Sequence, residues 1–224
     1  MPRLLSLLER VLSFQERPEG VSTFFELSED NYKLLCYEIF LYVMATLIKA
    51  KKYREARQLV DYRYVAPRTY GGNEREGHGF SSFNSYARSI DEMCGRENGQ
   101  RKYSMMASLI HERATNRYIQ FSDVVQADVL LWIAGGQFGW IPRCLVYGRF
   151  AGKLDLFVRA ATEEGYQPLR VLLQIETPYE FVQKLVSPEA KSIMGREMFW
   201  SALRMTDCFN LEELTQRWAP KLYD

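Results

Sequence analysis

The chain has 224 residues, 47% of them hydrophobic, enough to bury one substantial core and too apolar for a disordered chain. Its 29 basic and 28 acidic residues nearly cancel, which excludes a global field drawing it to nucleic acid or an anionic membrane and leaves only local patches. Four cysteines, Cys36, Cys94, Cys144 and Cys208, are scattered without a C-x-x-C pair, which argues against structural zinc and for free thiols in a reducing, cytoplasmic setting.

Leu4, Leu5, Leu8, Val11 and Leu12 recur at helical spacing, and Glu9-Arg10 interrupts the run before it reaches the length of a signal peptide's apolar region. Pro18 and Gly20 end that element. A second helix opens at Ser28 or Asp30, whose side-chain oxygens suit an N-cap, and runs to about Ala50. Its apolar window, 34–48, encloses Glu38 and is about fifteen residues long, short of the roughly twenty a bilayer needs. Apolar nearly all round, this helix is expected at the centre of a bundle with neighbours on several sides. A basic turn at 49–52 leads into 53–60, where Tyr53, Ala56, Leu59 and Val60 share a face, making an αα-hairpin. Residues 64–80, with Pro67, Gly71, Gly72, Gly77 and Gly79, read as a long loop.

Helices follow over 83–93 and 103–114, separated by a polar break at 95–101. Ser122 is placed to cap an apolar helix over 123–134 that Gly135 and Gly136 stop. The stretch 138–150 reads as a helix entered through Trp140-Ile141-Pro142, the alternative being a short strand at Leu145-Val146-Tyr147, within a strand pair around 141–150. Thr177-Pro178-Tyr179-Glu180 combines an N-cap, a first-turn proline and a reciprocal glutamate, starting a helix that runs through Val186. Ser187-Pro188 begins another, and Asn210-Leu211-Glu212-Glu213 repeats the arrangement before a stop near Ala219-Pro220. The sum is a mainly α fold, an irregular helical bundle. Its expected organisation is an N-terminal hairpin region at 1–64, a loop-rich connection with a short helix at 65–102 and a C-terminal helical region at 103–224, the first and last sharing one core.

Nothing matches a phosphate loop, a Rossmann glycine pattern, a Gly-x-Ser-x-Gly elbow or paired metal-binding histidines. His111-Glu112 sits on a helix, but Thr115 occupies the position where zinc-protease chemistry needs its second histidine. Arg101 and Arg75 stand at the wrong spacing from His111 and His78 for the arginine and histidine pair of helical ribonucleases. His78 closes a segment with Glu74, Arg75 and Glu76 that is either a solvated connection or a binding loop. Glu38 and Asp128 each lie inside an apolar helix, where an unpaired charge costs several kcal/mol, so each needs a partner. Asp128 is expected to pair with an arginine such as Arg143, Arg149 or Arg159, the alternative being a cation. Catalytic candidates are therefore Glu38, Asp128, His78 and His111. Basic residues dominate 49–75 with Tyr53, Tyr62, Tyr64 and Tyr70 interleaved, which makes Lys52, Arg54, Arg57, Arg68 and Arg75 the candidates for nucleic-acid contact; a basic helix face with tyrosines at core spacing is the other reading. Large aromatics gather in the second half, Phe138, Trp140, Tyr147, Phe150, Phe157 and Trp200, as cores and interfaces alike require.

Residues 43–60, with Leu47, Tyr53, Ala56 and Val60 at their present spacing, resemble one tetratricopeptide-type helical hairpin, although the motif's small residue at the turn is lacking and no second copy follows about 34 residues on. The apolar helix, basic turn and amphipathic partner, followed by Phe121-Ser122-Asp123-Val124-Val125-Gln126-Ala127-Asp128, resemble helical regions of bacterial anti-phage defence proteins. That resemblance implies a regulatory, sensing or assembly role beside an effector enzyme, since effector signatures are missing here. The sequence points to a non-catalytic helical interaction module or complex subunit whose partner is another protein or a second copy, with no cofactor, metal or membrane. The alternatives are a metal-dependent hydrolase or nuclease, and nucleic-acid binding through 49–75.

Overall fold

Apolar residues every three to four positions make helix the dominant structure, and the computed structural model describes it over residues 1–15, 26–65, 77–97, 104–115, 117–187 and 208–219. Among the described residues the α-helices are α1 (Pro2–Ser13), α2 (Asp30–Lys49), α3 (Tyr53–Asp61), α4 (Arg88–Glu97), α5 (Met105–Arg113), α6 (Phe121–Gly139), α7 (Asp155–Arg159), α8 (Glu163–Leu173), α9 (Pro178–Val186) and α10 (Leu211–Trp218). Short 3-10 segments occupy Glu26–Glu29, Phe80–Asn84 and Arg143–Phe150. Two strands, β1 (Tyr64–Val65) and β2 (Gly77–His78), pair antiparallel with Tyr64 opposite His78. The chain is a mainly α irregular bundle, as its periodicity requires.

Helix α2 packs on α6, α3 on α8 and α9 on α10, while Arg143–Phe150 packs on both α5 and α6. Buried apolar residues from Leu8 to Ala219 join in one cluster. At its N-terminal side Phe40 of α2 stacks on Phe83 with ring centroids 4.4 Å apart, Tyr64 meets Phe83 edge-on at 4.9 Å, and Trp140 packs on Tyr37 at 5.5 Å. At the other side Phe157 contacts Phe209 at 5.0 Å and Phe181 at 5.8 Å. Cys36, Cys144 and Cys208 are buried.

Several local expectations shift, each for a physical reason. Asp30 does not cap its own helix. Its carboxylate accepts the Ser89 N–H at 2.6 Å and the Lys33 ammonium at 2.8 Å, so it anchors the first turn of α4 to α2. Burial pushes this carboxyl up, but the Lys33 and Ser89 bonds outweigh burial and hold it below the ordinary value. Asp91 does the same one helix on, accepting Met105 and Met106 N–H at 2.6 and 3.1 Å. Gln120, not Ser122, caps α6, and Asp123 closes the reciprocal box by accepting the Gln120 N–H at 2.9 Å. Gly136, at φ 65 and ψ −165, kinks α6 rather than ending it, and the helix resumes to Gly139. Phe80–Asn84 forms a 3-10 turn where α-helix was expected from Phe83, so α4 starts only at Arg88. The stretch 143–150 is a 3-10 helix instead of an α-helix or strand, and the strand pair lies at 64–65 and 77–78, inside the expected loop. A Cβ on Gly77 would stand 2.9 Å from the Arg63 Cβ, so only glycine allows that close pairing. The basic turn closes α2 with Lys51 at φ 58 and Lys52 N–H donating to Leu47 O at 2.8 Å, the pattern usually built on glycine. The segment opening at Ser187-Pro188 lies outside the described residues beyond Ser187.

Candidate functional site

Asp128 is placed by three elements. Helix α6 carries it onto the face that meets α2, where the Tyr37 hydroxyl donates to Oδ1 at 2.8 Å. The Gly136 kink turns the chain back so that the Trp140 indole donates to the same oxygen at 2.7 Å, and the Cys144 N–H reaches Oδ2 at 2.8 Å. The carboxylate is fully enclosed at 0% exposure. Burial pushes its carboxyl up to about 7, against the pull of Trp140, Tyr37 and the Cys144 backbone. Burial, with the Asp128 charge beside it, also drives the Tyr37 hydroxyl and the Cys144 thiol well above their ordinary values, so both stay protonated. The expected arginine partner takes a different place. The Arg143 N–H donates to the Tyr37 oxygen at 3.2 Å, while its guanidinium reaches the Asn84 carbonyl at 3.4 Å and the Tyr86 ring. Three directed donors hold the carboxylate in place of a countercharge, which ties α2, α6 and the 143–150 segment together.

Glu38, the next residue on α2, points elsewhere: Arg113 at the end of α5 donates to it at 2.6 Å, and the Tyr42 hydroxyl bonds it one turn on. Asp128 and Glu38 thus have separate partners, and among the described residues no group of three His, Cys, Asp or Glu side chains is arranged to hold a metal. The His111 ring is stacked among aromatics, with Phe121 at 4.5 Å, Phe150 at 4.9 Å and Tyr147 at 5.9 Å. His78 lies in β2 opposite Tyr64, away from the other three. In the basic segment Lys52 and Arg54 are exposed, whereas Arg57 is committed to Asp61 and to the Leu172 carbonyl of α8 at 3.2 Å. Arg68 and Arg75 lie outside the described residues.

The feature that sequence reasoning missed is on α2 itself. One face is buried through Leu34, Tyr37, Leu41, Met44 and Ile48. On another, Tyr32 and Leu35 are exposed at 43% and 42%, and Ile39, Tyr42, Val43 and Leu47 are only half-buried. Tyr32, Leu35, Ile39, Tyr42 and Thr46 fall at alternating spacings of three and four, the seam of a helix that meets another helix. Helix α1 runs antiparallel beside it: Phe14 stacks on Tyr32 at 5.7 Å, the Cys36 thiol donates to Val11 O, and Leu4 comes against the far end. Leu4, Ile39, Tyr42, Val43, Thr46 and Leu47 enclose an open groove of about 340 Å³. The segment Leu27–Lys49 also has the length and hydropathy of a membrane span, with half of its window buried inside the protein. No family model, curated protein or solved structure matches this chain.

Proposed function

We propose that this chain is a non-catalytic helical subunit that works by binding another protein, in a regulatory or assembly role in the cytoplasm. The observation that carries the reading is the largely apolar seam on α2, which the rest of the fold covers only in part although it has the spacing of a helix–helix contact. The arrangement of chemically reactive groups supports it as well. Asp128 is enclosed by its donors, Glu38 is paired with Arg113, and His111 is packed in an aromatic stack, so each has a structural task. The resemblance to helical regions of anti-phage defence proteins fits a subunit that regulates or assembles with a separate effector.

The test is native purification from the source cell under gentle salt, followed by mass measurement of the intact species. A stoichiometric partner or a defined oligomer is expected. A monodisperse monomer without bound protein would overturn the proposal.

A further inference from the structure

The Tyr37 hydroxyl stands between two acceptors. It lies 2.8 Å from Asp128 Oδ1 and 4.0 Å from the Cys144 sulfur, the outer reach of a hydrogen bond to sulfur, and its oxygen accepts the Arg143 N–H at 3.2 Å. A phenol has one hydrogen to give and an oxygen that also accepts. An ionised Asp128 takes that hydrogen. A protonated Asp128 has a hydrogen of its own to place, and the Trp140 and Cys144 N–H groups that face it only donate, so the Tyr37 oxygen is the acceptor in contact with it. We infer that Tyr37, Asp128 and Cys144 form a proton-operated latch between α2 and the 140–144 segment, in which a proton taken up by Asp128 turns the Tyr37 hydroxyl from the carboxylate to the Cys144 sulfur. No heavy atom has to move. One proton enters from water onto Oδ1 and is donated to the Tyr37 oxygen, and the phenol's own hydrogen rotates to the sulfur.

The charged groups around this cluster are Arg143 beside it and Glu38 on α2, which Arg113 of α5 holds at 2.6 Å and to which Tyr42 is bonded. On α6 the other carboxylate, Asp123, is taken by Lys49 at 2.7 Å, and Phe80–Asn84 carries no titratable side chain. Neither Arg143 nor Arg113 forms an ion pair with Asp128, so ionisation leaves an enclosed anion held by three neutral donors. Such a charge favours opening of the 140–144 segment to water. Burial pushes the Asp128 carboxyl up to about 7, so the latch is closed on the acid side of neutrality and loosens above it.

Difference infrared spectra of the full chain between about pH 5 and about pH 9 follow the carbonyl stretch of protonated Asp128 and the S–H stretch of Cys144, which Cys144→Ala identifies. Both are expected to change with one midpoint near 7. Asp128→Asn, whose amide N–H donates to Tyr37 as the protonated acid does, should hold the S–H band at its low-pH position throughout. Tyr37→Phe removes a donor to the ionised carboxylate, so its carbonyl midpoint should rise while its S–H band ceases to respond. An S–H band that stays fixed while Asp128 titrates overturns the inference. So does an S–H response that survives in Tyr37→Phe, and so does a carboxyl that does not titrate in this range. Should Tyr37→Phe fail to fold, the wild type against Asp128→Asn decides. Opening is read by deuterium exchange of the Trp140 indole N–H, as the ratio of wild type to Asp128→Asn, in which the intrinsic pH dependence cancels. That ratio should rise about tenfold from pH 6 to pH 8, and a constant ratio overturns the latch.

Discussion

At Asp128 burial and three donors act on the same proton in opposite directions. The folded value of about 7 lies above the ordinary 3.8, so between those values the folded protein holds a proton that the unfolded chain releases. The contribution of this group to stability is therefore fully present below about pH 4 and is lost as pH rises through about 7. At about 1.4 kcal/mol per pH unit the loss amounts to about 4 kcal/mol. Asp128→Asn removes the titration, so urea denaturation at pH 5 and pH 8 should show the wild type losing stability relative to the variant as pH rises. Parallel behaviour of the two would show that Asp128 is ionised in the fold throughout. Trp140→Phe deletes the strongest opposing donor, and its loss of stability should move to higher pH. Cys36, whose thiol burial pushes up to about 11, stays protonated through this range and does not confuse the measurement.

Among the elements, the kink of α6 decides where those donors stand. Gly136 lies in a backbone region that side chains other than hydrogen rarely enter, although open space surrounds it. Gly136→Ala is expected to destabilise by about 1–3 kcal/mol through backbone strain alone. Gly139→Ala, also in open space but without positive φ, should be neutral or slightly stabilising in the same thermal melt. Equal effects at the two positions would place the cost elsewhere than in the kink. The basic segment divides in a similar way. Arg57 joins α3 to the Leu172 carbonyl, so Arg57→Ala should cost about 1–2 kcal/mol, whereas exposed Arg54→Ala should stay within about 0.5 kcal/mol. Equal losses in denaturant titrations would show that Arg57 bears no such load. Sequence made some of this visible and hid the rest for identifiable reasons. The Thr177 cap, the extents of α2 and α3 and the need of Asp128 and Glu38 for partners follow from local rules, and the structure has them: Glu180 N–H donates to Thr177 at 3.2 Å. The identity of the partners does not, because Tyr37 and Trp140 reach Asp128 through tertiary packing. Nor does a two-residue strand, which is shorter than any alternation. The α2 seam was legible as spacing at 32, 35, 39, 42 and 46, but an all-round apolar helix hides which face the core covers.

At the scale of the whole molecule the question is whether the hairpin region at 1–64 and the helical region at 103–224 unfold together. Two aromatic clusters stand on either side of the bundle, Phe40 with Phe83 and Trp140 on one, Phe157 with Phe181 and Phe209 on the other. Between them α6 meets both α2 and α8, α3 packs on α8, and the Leu154 N–H bonds the Cys208 carbonyl at 2.9 Å. Buried groups that share such continuous packing lose their environment together, which makes separate transitions costly. Phe83→Ala and Phe209→Ala, each at a fully buried ring, should each cost about 3–5 kcal/mol. In a chain of this size that lowers Tm by roughly 10 °C. If the bundle is one cooperative unit, both substitutions shift the same single transition, with near-ultraviolet and far-ultraviolet dichroism melting together. If the regions are independent, each substitution moves only one of two transitions, and the packing of α2 would survive the loss of the Phe157 cluster.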